Sequence, residues 1–465
     1  MIHWGPLVVV MLYLLAMIGV GYYVNKRLIK ESVDYLLASR ALPAILVAAS
    51  LSANNIGGGS SVGVASRAVG AWGISAGWYV LAAAIGILPM MIFAPAIRRS
   101  MAYTIPEVVG KRFGTGSHVI TSIVNIIALF CLTASQMLAS GTIISALTSI
   151  SLNVAILIAG FACIIYTVMG GMWADAFTDL FQWLVIFFGL LISLPFIIKG
   201  AGGWSTVVSK VPTEKMSFTA CGWATIISLI FNYFVTFISG PEMVSRIYAV
   251  KDEKEGVKAI GLSALTMGIY AFVPAVIGIV ALASFPDVNP NQALATVTFA
   301  FAPAAIAGLV CAAIIACTMS SADSDMLCAS TIIVKDIYQR YINPEISDDQ
   351  IIKTTRILNV IIGMGAMGIA LFQINIITLN IFAFMLRSAG PFAAFALGIL
   401  WKNASKHSGL VSIIVGSVVG IWWQVIGQPY GLFAVVVGSI ASTVAFVLTT
   451  FIERALGGET APQLS

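Results

Sequence analysis

Charged side chains are scarce in this sequence. They make up 9% of its 465 residues, whereas apolar residues make up 59%. A soluble domain carries about 25% charged residues, because polar groups must cover its surface. Apolar runs close to the roughly 20 residues that cross a bilayer recur from end to end. The composition therefore excludes an ordinary soluble protein and predicts an all-α membrane protein embedded in a lipid bilayer.

Catalytic and metal-binding patterns are also missing. The three histidines, His3, His118 and His407, lie far apart, and none of the six cysteines pairs with one at a metal-ligand spacing. No Ser/His/Asp arrangement stands out, and the glycines at 57–59 lie in an apolar run without the lysine of a phosphate-binding loop. We therefore expect that the protein is not an enzyme and that it binds no cofactor.

The net charge of +5 reflects membrane topology. With the N-terminus outside, most of the 24 lysines and arginines fall in cytoplasmic loops, among them Arg112 and Arg246. Arg67 falls outside, and Arg387 lies within a span. This asymmetry follows the positive-inside rule and predicts a cytoplasmic C-terminus in a cell (inner) membrane. It gives no reason to expect nucleic acid as a partner, and no obligate protein partner is indicated.

Thirteen membrane-spanning helices are predicted from the apolar runs within one transmembrane domain, 1–465. They cover residues 6–25, 42–66, 72–97, 118–147, 152–169, 173–199, 222–249, 258–285, 303–337, 352–373, 376–401, 408–426 and 431–452.

Two of these spans contain helix breakers, five spans apart. The second includes the glycines at 57–59, and the seventh includes Pro241, which cannot donate a backbone hydrogen bond. Broken helices at matching positions of two halves mark the inverted repeats of many secondary transporters. The pattern predicts a first repeat at 42–199 and a second, inverted repeat at 222–401. The alternatives are a close-packing glycine face and an ordinary proline kink.

Ionisable side chains inside spans cost about 2.5–3.5 kcal/mol each, so they are functional candidates by default. Two of them, Asp175 and Glu242, lie near predicted span ends, where solvation is the alternative. The full set is Asp175, Asp179, Glu242, Asp323, Asp325 and Arg387.

The ninth span carries Cys317, Ser320, Ser321 and Ser324 at spacings that place them on one helix face. Sodium is a hard cation that prefers oxygen ligands, which these hydroxyls and the carbonyls freed by the broken second span can supply. The alternative is a packing face whose serines bond to their own backbone.

Five motifs in order along the chain resemble those of the sodium:solute symporter family. They are 32–43 (SVDYLLASRALP), 105–107 (IPE), 111–114 (KRFG), 166–179 (YTVMGGMWADAFTD) and the ninth-span run ending at 336–338 (DIY). The resemblance covers nearly the whole chain. It implies sodium-coupled import of a small organic solute by a leucine-transporter-type 5+5 inverted repeat with discontinuous helices. One extra helix would precede the repeat, within 1–30, and two would follow it, within 408–452.

The resemblance also implies where sodium binds. The main site would use backbone oxygens of Ala53, Ile56 and Cys317 and the hydroxyls of Ser320 and Ser321. Cys317 stands where the family usually has alanine, but only its carbonyl is needed.

A candidate second cation site would use Asp179, Asp323 and Ser324, together with Ser320. Asp323 replaces a serine of the family pattern. This replacement favours either a stronger cation site or a proton site.

The solute is expected between the two broken helices, where half-helix ends expose backbone groups. The candidate residues are Asn54, Asn55, Ser60, Asn232, Phe234, Phe237 and Gly240. Amides and a hydroxyl beside phenyl rings suit an amino acid or a short carboxylate. The alternative for Phe234 and Phe237 is packing against neighbouring helices.

Local motifs at 57–59 and 320–324 are similar to those of the choline-transporter-like branch. That branch has a tryptophan where Asn55 stands, and an aromatic face is what a cation prefers. Arg67 and Arg387 favour a carboxylate instead. Uptake of choline or another quaternary ammonium compound remains an alternative, as does a channel or sensor without coupling.

Overall fold

A computed structural model describes residues 4–374 and 376–463, and within these the side chains at 166 and 377 are not described. The predicted N-terminal helix, 1–30, and the single domain, 1–465, therefore begin outside the described residues. Among the described residues, all regular secondary structure is helical, apart from two isolated bridges, Leu42 to Val250 and Ser405 to Thr460.

Twenty-one α-helices are numbered here in chain order. They are α1 Trp4–Leu28, α2 Ser32–Leu37, α3 Ala44–Asn55, α4 Val64–Val69, α5 Trp78–Gly86, α6 Met90–Arg99, α7 Ile105–Phe113, α8 Thr115–Thr148, α9 Leu152–Gly200, α10 Trp204–Lys210, α11 Trp223–Ser239, α12 Pro241–Ala249, α13 Glu253–Tyr270, α14 Val273–Ser284, α15 Ala293–Phe301, α16 Ala304–Thr331, α17 Asp348–Ala370, α18 Ile376–Ser388, α19 Pro391–Leu400, α20 Ser408–Val425 and α21 Ala434–Ala455. Wider π-helical turns cover Gly59–Gly63 and Ile332–Ile342. Short 3₁₀ turns cover Ala38–Arg40, Gly73–Gly77, Thr213–Met216, Pro290–Gln292 and Pro429–Gly431.

Eight helices in the described part of the chain are long and apolar enough to cross a membrane, or eleven if each bent helix pair is one span. Two shorter apolar helices, Ala44–Asn55 and Leu152–Ile165, lie within the second and fifth predicted spans. The architecture is therefore the predicted multi-pass helical one. The count of thirteen spans and the repeat boundaries stay predictions.

Both predicted helix breaks are confirmed. Helix α3 ends at Asn55, and the next residue, Ile56, leaves helical geometry with φ −81° and ψ 64°. A side chain at Gly58 would meet the Cβ atom of Ala139 at 2.5 Å, so α8 can approach the break only because a glycine is there. Helices α11 and α12 meet at Pro241 with a bend of 52°.

A third interruption divides α9. Gly171 has φ 61°, in the left-handed region that favours glycine, and it separates the predicted spans 152–169 and 173–199. The backbone of Tyr35 lies against this glycine, at 2.7 Å from the position of an added Cβ atom. The turn therefore depends on the absence of a side chain.

Helix α16 forms the centre of the bundle. Of its most apolar 18-residue stretch, 78% is buried, compared with 28% for α1 and 33% for α20. It packs against α9, α8, α1 and α3. The serine face predicted for sodium is therefore surrounded by other helices, while α1 and α20 expose apolar side chains where lipid is expected.

The sequence suggested that Arg112 lies in a cytoplasmic loop. In the structure its side chain is not free. Its side chain is buried and donates to backbone carbonyls that come from two distant parts of the chain. A guanidinium has five donors, so carbonyl oxygens can satisfy it without a carboxylate. The accepting residues are Gly398, Trp401, Lys402, Ala461 and Pro462. Arg112 thereby fastens the C-terminal segment to α7 and to the end of α19.

Candidate functional site

A small cavity lies between the two broken helices, with a volume of about 40 Å³ for the centres of water-sized probes. Four of the predicted solute residues line it: Asn54, Asn55, Ser60 and Phe237. The structure therefore brings the predicted polar groups of α3 and the aromatic wall of α11 together.

The other three predicted solute residues do not line this cavity. Asn232 lines a neighbouring cavity together with Arg67. Phe234 packs against the rings of Phe231 and Phe392, at centroid distances of 5.5 and 5.7 Å. Gly240 lies at the helix break beside the lining residue Glu242.

The helical period of α11 explains this correction. Tyr233, Thr236 and Phe237 are three and four residues apart and face the cavity. Phe234 points toward α19, because a single residue step turns the side chain by about 100°.

Side chains satisfy the backbone groups that the break in α3 frees. The Ser60 hydroxyl donates to the carbonyl of Asn55 at 2.8 Å, and the amide of Gly58 donates to Gln136 at 3.0 Å. The Ser321 hydroxyl donates to the carbonyl of Asn54 at 2.7 Å. Residues of α8 and α16 thus hold the broken end in place, which allows irregular backbone at this depth.

The residues predicted for the main sodium site lie in α3, at the residue that follows it and in α16. Ala53, Ile56 and Cys317 are fully enclosed. The Ser321 hydroxyl also lies 3.0 Å from the carbonyl oxygen of Cys317, and its single hydrogen can be donated to only one of the two carbonyls, that of Asn54 or that of Cys317. The fifth predicted residue, Ser320, lies one position away on α16. Ser321 therefore links α16 to the broken end of α3 through the carbonyl of Asn54, and the five-residue sodium site stays a prediction.

Ser320 has a second connection. Its hydroxyl donates to Asp179 on α9, and the Ser50 hydroxyl on α3 donates to the same carboxylate. A hydroxyl that donates its hydrogen keeps lone pairs that can bind a cation. Asp179 therefore orients Ser320 with its oxygen available, and it links the two predicted cation sites.

Arg246 lies at the second predicted cation site, where the sequence did not predict it. The sequence suggested a cytoplasmic loop, but the side chain is buried, and its guanidinium is 2.6 Å from Asp175 and 3.7 Å from Asp179. It also donates to Ser324 and, at 3.0 Å, to Ser50. A positively charged group of the protein is therefore in contact with two of the residues predicted for that site.

Asp323 belongs to the same cluster of charged residues as Arg246, Asp175 and Asp179. Its carboxylate accepts from the backbone amide of Ser324 at 2.7 Å, and Asp323 lines a small cavity together with Asp175. Two carboxyl groups that lie close together favour protonation of one of them, because like charges repel. The cluster therefore contains one guanidinium and a candidate proton position.

A second buried ion pair lines the cavity itself. Arg387 on α18 pairs with Glu242 on α12, and its guanidinium lies over the ring of Phe384 at 4.9 Å. Asp325 on α16 lines the same cavity. Solvation of Asp175 and Glu242 at span ends was the wrong alternative, because their side chains are only 4% and 2% exposed and each has an arginine partner.

Sequence reasoning missed several polar lining residues, including Tyr79, Gln136 and Asn380. Nothing in their local sequence distinguishes them from ordinary residues of a helix. Glu242, Asp325 and Arg387 did carry a signal, since each is an ionisable residue inside an apolar span. In the part of the chain that the structure describes, no group of three His, Cys, Asp or Glu residues has a metal-binding arrangement.

A model of the sodium:solute symporter family matches residues 35–416. The chain belongs to the sodium:solute symporter family. Among curated relatives, sodium/proline symporters of several Staphylococcus aureus strains are 23% identical over 443 residues, which cover 90% of this chain and 85% of the relative.

Solved structures share the fold. A Na⁺-coupled sialic acid symporter in a substrate-bound, outward-open state has a TM-score of 0.85 and 24% identity over 99% of both chains. A nucleobase-cation-symport-1 family transporter has a TM-score of 0.62 and 15% identity over 90% of this chain and 95% of that one. The fold is therefore of the leucine-transporter type.

This protein is accordingly a multi-pass transporter of the cell membrane and a sodium-coupled symporter of a small solute. Its family and its neighbours are transporters, not enzymes. Sodium is the coupling ion, and no other cofactor is indicated.

Proposed function

We propose that this symporter imports an amino acid or a short carboxylate, with its N-terminus outside and its C-terminus in the cytoplasm. One observation carries the proposal: Arg387, Asn54 and Asn55 all line the cavity between the broken helices. A guanidinium is well suited to a carboxylate. Proline and sialic acid, named for two of the relatives, both carry this group.

We assign sodium to the backbone oxygens of Ala53, Ile56 and Cys317 and to the hydroxyls of Ser320 and Ser321. Two observations support the assignment. Ser321 reaches the freed carbonyl of Asn54, and Asp179 orients Ser320. The sodium ion then lies next to the broken end of α3 that also lines the cavity, which accounts for coupling between ion and solute.

For the second predicted site, Asp179, Asp323 and Ser324, we propose that Arg246 supplies the positive charge. Its guanidinium is already in contact with Asp179 and Ser324. A sodium ion there would meet like-charge repulsion from the arginine. The proposal predicts coupling to a single sodium ion, with Asp323 holding a proton.

Uptake into proteoliposomes tests the transport proposal. Purified protein should accumulate at least one of labelled L-proline, L-alanine, L-phenylalanine or propionate when sodium is high outside, and accumulation should stop without the gradient. Equilibration without accumulation would instead indicate a channel, and binding without uptake a sensor. Sodium-driven accumulation of choline alone would contradict the proposed solute class.

Phe237→Ala should weaken solute binding about tenfold. Roughly 50 Å² of apolar contact at about 25 cal/mol per Å² corresponds to about 1.3 kcal/mol. The matched control is Phe234→Ala on the same helix, because that ring packs outside the cavity. Calorimetric affinities should fall for the first variant only. Equal affinities in two well-folded variants would place the solute elsewhere.

A further inference from the structure

The Arg387–Glu242 ion pair is not among the residues assigned to sodium, and it is buried at the wall of the solute cavity. The two side chains are 1% and 2% exposed. Two charges at this depth are costly to bury, and a buried pair is weak evidence for a contribution to stability. Ionisable groups inside membrane spans usually serve function. The pair is therefore a candidate for direct contact with the solute.

The groups around the pair leave binding capacity unused. Among described atoms, Arg387 Nε, Asn54 Nδ2 and the Thr236 hydroxyl are buried without a hydrogen-bond partner. All three residues line the cavity. Arg387 thus has a donor free beyond the one that contacts Glu242. A ligand with carboxylate oxygens can satisfy these donors, and buried polar groups without partners are otherwise unfavourable.

Two carboxylates line the cavity. Asp325 lines the cavity together with Glu242. Against one guanidinium, these two groups give the lining an excess of negative charge when both are ionised. A ligand that brings only a carboxylate would add to that excess, whereas a zwitterion would leave the net charge unchanged and would bring an ammonium group that can pair with a carboxylate.

We propose that the Arg387–Glu242 pair is a clamp for a zwitterion. When the solute binds, its carboxylate replaces Glu242 as the partner of Arg387. Its ammonium group then pairs with the carboxylates of Glu242 and Asp325. This inference rests on the proposed function and narrows its solute to an amino acid. In the solute-free protein the two side chains neutralise each other across the cavity.

Exchange of partners explains why a zwitterion is selected. After exchange, Arg387 and Glu242 each remain paired, so the exchange adds no uncompensated charge in the bilayer interior. A carboxylate without an amino group would leave Glu242 unpaired beside Asp325. An amine or a quaternary ammonium compound could pair with Asp325 while Arg387 stays on Glu242, but it would leave the free Nε donor of Arg387 without an acceptor. Phe384, beneath the guanidinium, supports the arginine in either state by a cation–π contact.

Three amino acids and their deaminated counterparts test the clamp. The pairs are L-proline with cyclopentanecarboxylate, L-alanine with propionate and L-phenylalanine with 3-phenylpropionate. Affinities for the purified protein in sodium are measured by calorimetry, and sodium-driven uptake is measured in proteoliposomes. At least one amino acid should bind, and its counterpart should bind at least about thirty-fold more weakly, as expected for the loss of a buried charge pair.

Substitutions of Glu242 and Arg387 test what each of these two charges contributes to solute binding. Glu242→Gln should reduce discrimination between the amino acid and its deaminated counterpart to less than about threefold. Since a single change leaves one charge unpaired and can prevent folding, the double variant Arg387→Gln with Glu242→Gln removes both charges together. This neutral double variant should fold, retain sodium binding and lose amino acid affinity by at least about thirty-fold.

Two results would overturn the clamp. One is equal affinity for an amino acid and its counterpart, and the other is wild-type discrimination by the neutral double variant. If carboxylates are taken up with sodium but without discrimination, the clamp fails while the proposed function stands. If sodium drives uptake of none of the six compounds, the proposed function fails, and the clamp fails with it.

Discussion

Sodium affinity should fall at least about tenfold when Ser320 and Ser321 are both replaced by alanine, a loss of about 1.4 kcal/mol or more. The double variant removes two hydroxyl oxygens, one beside the freed carbonyl of Asn54 and one oriented by Asp179. Solute affinity measured at fixed low sodium should fall as well, because coupling between two ligands is reciprocal. The sodium dependence of solute binding is the measurement.

Ser330→Ala is the matched control for this double variant. Ser330 is a buried serine of the same helix, but its hydroxyl donates to the carbonyl of Leu327 at 2.9 Å within α16. Sodium dependence should therefore remain that of the unmodified protein. If the double variant folds and keeps the same sodium dependence as this control, the sodium ligands have been assigned incorrectly.

Arg246→Met is expected to have the largest effect on stability, about 3–5 kcal/mol. It removes the guanidinium from Asp175 and Asp179 and leaves buried carboxylates without a positive partner. Denaturant unfolding in detergent measures the loss. The matched control is Arg99→Met, which breaks an exposed pair with Glu253 at 3.0 Å and should cost about 0–1 kcal/mol.

A second substitution makes the Arg246 prediction specific. Adding Asp175→Asn to Arg246→Met removes a negative charge with the positive one, so the double variant should recover part of the lost stability. With Asp179 still present and the guanidinium absent, uptake should then show a steeper dependence on sodium or a new dependence on pH. Unchanged stability and stoichiometry would mean that Arg246 does not act as the resident cation.

Several features of the site followed from local sequence. The glycines at 57–59 and Pro241 predicted the two helix breaks, because the backbone freedom of glycine and the missing amide of proline act within one helical turn. The spacing of Ser320 and Ser321 predicted a hydroxyl face for the same local reason. Four of seven solute residues were found through their closeness to these breaks.

Other features depended on contacts between distant segments. Glu242 and Arg387 are 145 residues apart, and Asp175 and Arg246 are 71 apart, so no local pattern indicates that they pair. The sequence suggested that Arg112 is a loop residue, and only the structure shows that the C-terminal segment covers it.

The sequence by itself determined the membrane class, the family, the two breaks and the hydroxyl face, since composition, motifs and short-range geometry are sufficient for these. Only the tertiary structure decided which charges neutralise one another and which aromatic ring of α11 faces the cavity. The physical reason is that a buried charge takes its partner from whichever helix packs against it, and helix packing is a property of the whole chain.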